Sequence, residues 1–103
     1  MAYKLYVTKH AEELLDNLVN YLITEKLNPD AALHLLNEIE PVYERLRDNP
    51  FQFRVSQDRY LMLKEYREVV ITGMDYVVVY DVSGDIVTVL GIFHQLENYR
   101  KKV

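Results

Sequence analysis

Between positions 66 and 93 the chain reads YREVVITGMDYVVVYDVSGDIVTVLGIF, three apolar runs broken twice by turn-forming residues. Val, Ile, Thr and Tyr fit a pleated, half-buried surface, so each run predicts a strand. Gly73 and Gly84 stand between the runs, where tight hairpin turns need a positive φ. Connections this short predict an antiparallel meander. Upstream the period changes twice. Tyr3, Leu5 and Val7 alternate with Lys4, Tyr6 and Thr8, the period-two signature of a short first strand. The edge of the meander that this strand joins is left open by the sequence.

Ala11, Leu14, Leu15, Leu18, Val19 and Leu22 then recur at helical spacing and predict a helix from about Lys9 to Glu25. Thr8 suits its N-cap, and Glu12 and Glu13 lie near the positive end of its dipole. KLNPD breaks the pattern. Asn28 suits the cap of a second helix and Pro29 its first position, where no amide bond is lost. Ala32, Leu35, Leu36, Ile39, Val42, Tyr43 and Leu46 carry a second stripe to about Arg47. Pro41 interrupts it, removing the amide that would bond to the carbonyl of Asn37. Either the helix kinks there, or one helix stops near Glu40 and another starts on Pro41; the unbroken stripe favours the kink.

Asn49 and Pro50 stop the second helix. FQFRVSQDRYLML has no strong period and predicts a loop with room for a short extended piece, and HQLENYRKKV predicts a short C-terminal helix or ordered tail. The expected fold class is α+β: a four-stranded, mainly antiparallel sheet with two N-terminal helices packed on one face, in the order β-α-α-β-β-β. That arrangement buries every stripe at once.

Composition narrows the class. A chain of 103 residues supports one domain, expected to span residues 1–103. Half of it is apolar and 27% charged, as in folded globular proteins. The absence of Cys excludes disulfides and thiolate metal sites, and suits a reducing compartment. No apolar run approaches the roughly 20 residues of a membrane span, Met1–Thr8 lacks signal-peptide architecture, and a cytoplasmic location is expected. The net charge of −4 is unevenly placed. Residues 1–48 hold five Lys/Arg against nine Asp/Glu, and residues 49–103 hold seven against seven. Arg54, Arg59, Lys64 and Arg67 gather in the second half, ahead of a basic Arg100-Lys101-Lys102 tail, so a phosphate-binding face belongs to the sheet half.

Metal, phosphate-loop, dinucleotide and serine-hydrolase motifs are absent, and no cofactor is expected. His10 and His34 fit solvated helix surfaces. Three features suit chemistry. Arg67 opens the meander; pointing away from the helices it would clamp a phosphate in two-pronged fashion, and otherwise it is a surface arginine paired with Glu65 or Glu68. His94 closes the last strand, with Tyr99 five residues on, and both are able to move protons. Tyr60, Tyr66, Tyr76, Tyr80 and Tyr99 lie near the basic residues, an aromatic–cation mixture that suits splayed RNA bases, although Tyr is also an ordinary strand residue.

The element order and these motifs resemble the RelE/ParE superfamily of toxins from bacterial type II toxin–antitoxin modules. The likeness spans nearly the whole chain: YKLYVTKHAEELLDNLVNYL for the first strand and helix, LRDNPFQFR for the Asn-Pro stop, and YREVVITGMDYVVVYDVSGDIVTVLGIFHQLENYRKKV for the meander and its closing His and Tyr. It implies the same fold, a cognate antitoxin as partner and growth inhibition. RelE-like members cut mRNA on the ribosome without metal, using the RNA 2′-hydroxyl as nucleophile. On that pattern Arg67 is the phosphate clamp, His94 and Tyr99 the proton-moving groups, and Lys64, Arg59 and Arg100 the substrate-binding cations, with Arg67, His94 and Tyr99 converging on one cleft. The chain departs from the nuclease members in having Val77 after Tyr76 where many have Arg, and Gln95, Leu96 and Glu97 where many are basic. ParE-like relatives poison DNA gyrase without catalysis, which is the alternative, beside a degenerate member that keeps only antitoxin binding. A homodimer is left open.

Overall fold

A computed structural model describes residues 2–97 and 99–103. The chain runs as β1 (Lys4–Val7), α1 (Lys9–Thr24), α2 (Pro29–Asp48), a 3-10 turn (Pro50–Gln52), α3 (Arg59–Leu63), β2 (Arg67–Val70), β3 (Tyr76–Ser83), β4 (Ile86–His94) and a final 3-10 turn (Tyr99–Lys101). Both helix starts follow from their caps. The Ala11 amide donates to the Thr8 hydroxyl at 3.0 Å, and the Ala31 amide to the Asn28 side chain at 3.0 Å. α2 passes through Pro41 as one continuous helix. The loop expected after it holds more structure than its sequence period shows. Asp58 accepts from the amides of Tyr60 and Leu61 and starts α3, a helix of five residues that is too short to display a stripe.

The four strands lie in the order β1-β4-β3-β2. β2–β3 and β3–β4 are antiparallel, whereas β1 joins β4 in parallel, with Leu5 opposite Val87 and Val7 opposite Val89. Gly73 and Gly84 take φ of +77° and +60° in the two hairpin turns, as the sequence requires. The β3–β4 register shifts once: Val79 faces Gly91 while Tyr80 faces Val89. Leu90 is therefore an extra residue, a bulge. Its effect is to keep Val87, Val89 and Ile92 all turned towards the helices, which strict alternation along β4 forbids.

α1 and α2 cover one side of the sheet. Leu35, Ile39, Val42 and Leu46 of α2 pack with Val69, Val78, Tyr80 and Val89 in the main core. Each fully buried Leu, Ile or Val there contributes about 1.5–3 kcal/mol relative to exposure. A second cluster forms on the opposite side, where Val77, Val79 and Phe93 are covered by Tyr66, Leu90, Tyr99 and Val103. The C-terminal segment thus closes the face that the helices leave free. No helix among the described residues is long and apolar enough to cross a membrane.

Candidate functional site

Alternation along β2 decides where the candidate residues point. Arg67 sits opposite Tyr80, whose buried ring belongs to the helix-side core and whose hydroxyl donates to the Pro50 carbonyl. The Arg67 side chain follows it to that side. Its Nη1 donates to the Phe53 carbonyl at 2.7 Å, and its guanidinium lies over the Phe51 ring, 5.0 Å from the centroid. Neither Glu65 nor Glu68 pairs with it. The Asn-Pro stop makes this arrangement: Asn49 accepts from the Phe51 amide, turning the chain so that residues 50–53 fold against the start of β2.

Glu68, one residue on, points to the other side and is only 4% exposed. Arg54 reaches it with Nη2 at 2.8 Å, and the Tyr99 hydroxyl donates to its second oxygen at 2.8 Å. Tyr99 stacks on Phe93, with ring centroids 5.2 Å apart and planes 12° from parallel. Burial, then the hydrogen bond and charge of Glu68, push the Tyr99 phenol up to about 12. A phenol held protonated this firmly beside a carboxylate anchors the C-terminal segment to the sheet.

His94 lies at the far end of β3 from Arg67, opposite Tyr76, with its ring edge-on to the Tyr76 ring at 5.6 Å. Its Nδ1 accepts from the Leu96 amide at 3.1 Å, which leaves Nε2 to carry the proton in the neutral ring. It borders a groove between α1 and the end of β4, lined also by Leu14, Asn17, Tyr21 and Glu97. The expectation of one cleft is therefore corrected. Arg67 and Tyr99 occupy opposite sides of the sheet, and His94 is set off from Arg67 by the four residues of β3 from Tyr80 to Tyr76, roughly 13 Å along the strand, so the structure does not bring the three together. The reason is the period of two: Arg67 shares its side with Val69, and Glu68 takes the other.

The remaining cations gather around α3. Arg59 and Lys64 are exposed at its ends, and Arg100 Nε comes within 3.5 Å of Asp58, its cap. Lys64 lies over the rings of Tyr60 and Tyr66, at 4.6 and 5.6 Å. A cationic, aromatic patch does form, as the composition of this stretch predicts, but it borders Tyr99 and not Arg67. Val77, at the position where many nuclease members carry Arg, is 2% exposed beneath the Phe93–Tyr99 cover. The sequence marks Arg54 only as one of the clustered cations and Glu68 only as a partner for Arg67, and it gives Asp58 no role; the lone acid inside a strand run and an Asp ahead of RYLML were the available signals. His10 and His34 are exposed, as expected, and each ring bonds one carbonyl, of Lys102 and Thr72 respectively. No group of three or more potential metal ligands occurs among the described residues.

A helical hairpin on one side of a sheet whose first strand joins the last in parallel is the plan of the RelE/ParE superfamily of toxins. Within it the chain belongs to the ParE family, described as "ParE toxin of type II toxin-antitoxin system, parDE", which matches residues 5–99. Ten chains of solved structures match as well. One, from "Chromosomal ParDE TA system from P. aeruginosa", has a TM-score of 0.69 at 20% identity, covering 90% of this chain and 96% of that one; the likeness is one of fold. No curated protein matches the sequence.

Proposed function

We propose that this toxin acts by binding, as a ParE-like inhibitor of DNA gyrase, and not by cutting mRNA. The observation that carries the reading is the placement of Arg67: a guanidinium held by the Phe53 carbonyl and the Phe51 ring, on the helix side, cannot share a phosphate with Tyr99 on the other. Metal-free RNA cleavage needs cations on the scissile phosphate and proton-moving groups within about 3 Å of the reacting oxygens, all on one side. Burial of Val77 supports the same reading, since a cation at that position is lost to packing. The cognate antitoxin is the partner that membership of a type II module implies. In this reading Arg59, Lys64 and Arg100, around α3, supply a contact surface for the gyrase–DNA complex, and a cytoplasmic target follows.

The test uses purified toxin in two assays. Inhibition of gyrase supercoiling, with accumulation of cleaved DNA, is the expected result. Intact gyrase activity with fragmented mRNA on translating ribosomes would overturn the proposal and return the chain to the nuclease class. Prior addition of the antitoxin should abolish whichever effect is seen.

A further inference from the structure

The two edges of the sheet are finished differently. At the β2 edge the chain guards itself: the Ser56 amide donates to the Tyr66 carbonyl at 2.8 Å, the Glu68 amide donates to the Arg54 carbonyl at 3.1 Å, and Val55 bridges Arg67. At the β1 edge the pattern is the reverse. The amides of Lys4 and Thr8 donate to Asp85 and Val89, so the even-numbered backbone groups of β1 face β4. Those of Leu5 and Val7 consequently face outward. The Tyr3 amide, which shares their direction, is taken by the Arg47 carbonyl at 2.9 Å, and no group among the described residues reaches the outward amides and carbonyls of Leu5 and Val7. Tyr6, between them, is 60% exposed on the side of the sheet away from the helices. An edge with two free donors and two free acceptors beside an exposed aromatic is a template for another strand.

We propose that this edge pairs with the same edge of a second copy of the chain, antiparallel about a two-fold axis through Tyr6. In that register Leu5 lies opposite Val7 of the second copy and Val7 opposite its Leu5, and all four outward groups on each side are satisfied. The two Tyr6 side chains face each other as a non-hydrogen-bonded pair, the closer kind, and shield one another. Lys4 falls opposite Thr8 of the second copy, so like charges do not meet. Charge favours the occupant further along. Lys9 of the second copy, the first residue of its α1, arrives near Tyr3 and a pocket lined by Ala2, Tyr3, Glu44, Arg47 and Asp48, where Glu44 pairs with Arg47 and the Asp48 carboxylate is left for an incoming cation. A closed two-fold contact of this kind also uses up the free edge, so it ends at the dimer. The pairing is independent of which target the toxin inhibits.

The chain lacks cysteine, which permits a sharp test. A non-hydrogen-bonded antiparallel pair holds its Cα atoms about 4.5 Å apart, within the disulfide range of roughly 4.4–6.8 Å. Tyr6→Cys should therefore form covalent dimers under mild oxidation. Lys4→Cys should not, because its equivalents lie roughly 13 Å apart, four residues along a strand. Sedimentation across a concentration series should show wild type entering a dimer and Tyr6→Asp weakening it about tenfold or more, through two carboxylates set face to face. The three substitutions fall at two exposed positions, and far-ultraviolet circular dichroism checks that the fold is kept. A wild-type monomer at every concentration, equal cross-linking at Lys4 and Tyr6, or a dimer indifferent to Tyr6→Asp would each overturn the proposal.

Discussion

Removing the Arg67 guanidinium separates a structural from a chemical role for that residue. In Arg67→Ala the Phe53 carbonyl loses a charged donor at 2.7 Å, an interaction of about 1.5–3 kcal/mol. The Phe51 ring, half-exposed, loses a cation at 5.0 Å, adding about 0.5–1 kcal/mol. A net destabilisation of about 2–3 kcal/mol allows for overlap between the two, and lowers the melting temperature of a domain this size by about 10 °C. Arg67→Lys should fall between, since an ammonium keeps the charge but lacks the planar fork. The assay is thermal unfolding beside toxin activity, measured well below both melting points. If the residue is a wedge between β2 and the 50–53 turn, purified Arg67→Ala inhibits as wild type does once folded. A variant that melts with wild type yet has lost all inhibition refutes the reasoning and restores the guanidinium to the target.

Three further outcomes follow from the packing on the two sides of the sheet. An ideal Cβ at Gly91 lies 2.6 Å from the Phe93 ring, which Tyr99 pins from above, so Gly91→Ala should cost about 1–3 kcal/mol and increase proteolysis of the C-terminal segment. Tyr99→Phe keeps the stack but loses the bond to Glu68, an expected loss of about 1 kcal/mol in denaturant unfolding; no change would show that the bond contributes nothing. Alkaline titration is the third. Burial pushes the phenols of Tyr43 and Tyr99 up to about 12, and raises those of Tyr80 and Tyr76, while unfolded tyrosines ionise near about 10. The stability tied to Tyr43 and Tyr99 is present below about 10 and is lost as pH rises to about 12, because the unfolded chain releases its protons first. Tyrosinate absorbance should rise in two stages, and a single stage near 10 would contradict the burial.

Helices and strands were legible because their stripes are long: Ala11 to Leu22 and Ala32 to Leu46 each repeat over several turns, and the caps at Thr8 and Asn28 are of the favoured residue types. The sidedness of β2 was not. In REVVI both Val69 and Val70 are apolar, so the run does not announce which parity is buried or which side Arg67 takes. The same holds for β4, where the Leu90 bulge changes parity in mid-strand and an unbroken IVTVLGIF conceals it. α3 escaped notice because five residues complete barely more than one turn. The pairing of β1 depends on a crossover through both helices, which no local pattern encodes. The α3 cations were found by composition alone, yet their separation from Arg67 is a property of the pleat.

The parallel seam between β1 and β4 joins segments that are nearly a full chain apart, while every other strand contact is to an immediate neighbour in sequence. Closing that seam carries the largest loop entropy in the molecule and is rewarded by a strand of only four residues. Assembly therefore ends there and breathing begins there: the amides of Lys4, Tyr6 and Thr8 should exchange with solvent deuterium well before those of β3, although all of them are bonded in the native sheet. Until a second copy covers it, this outer strand therefore detaches at intervals without unfolding the core.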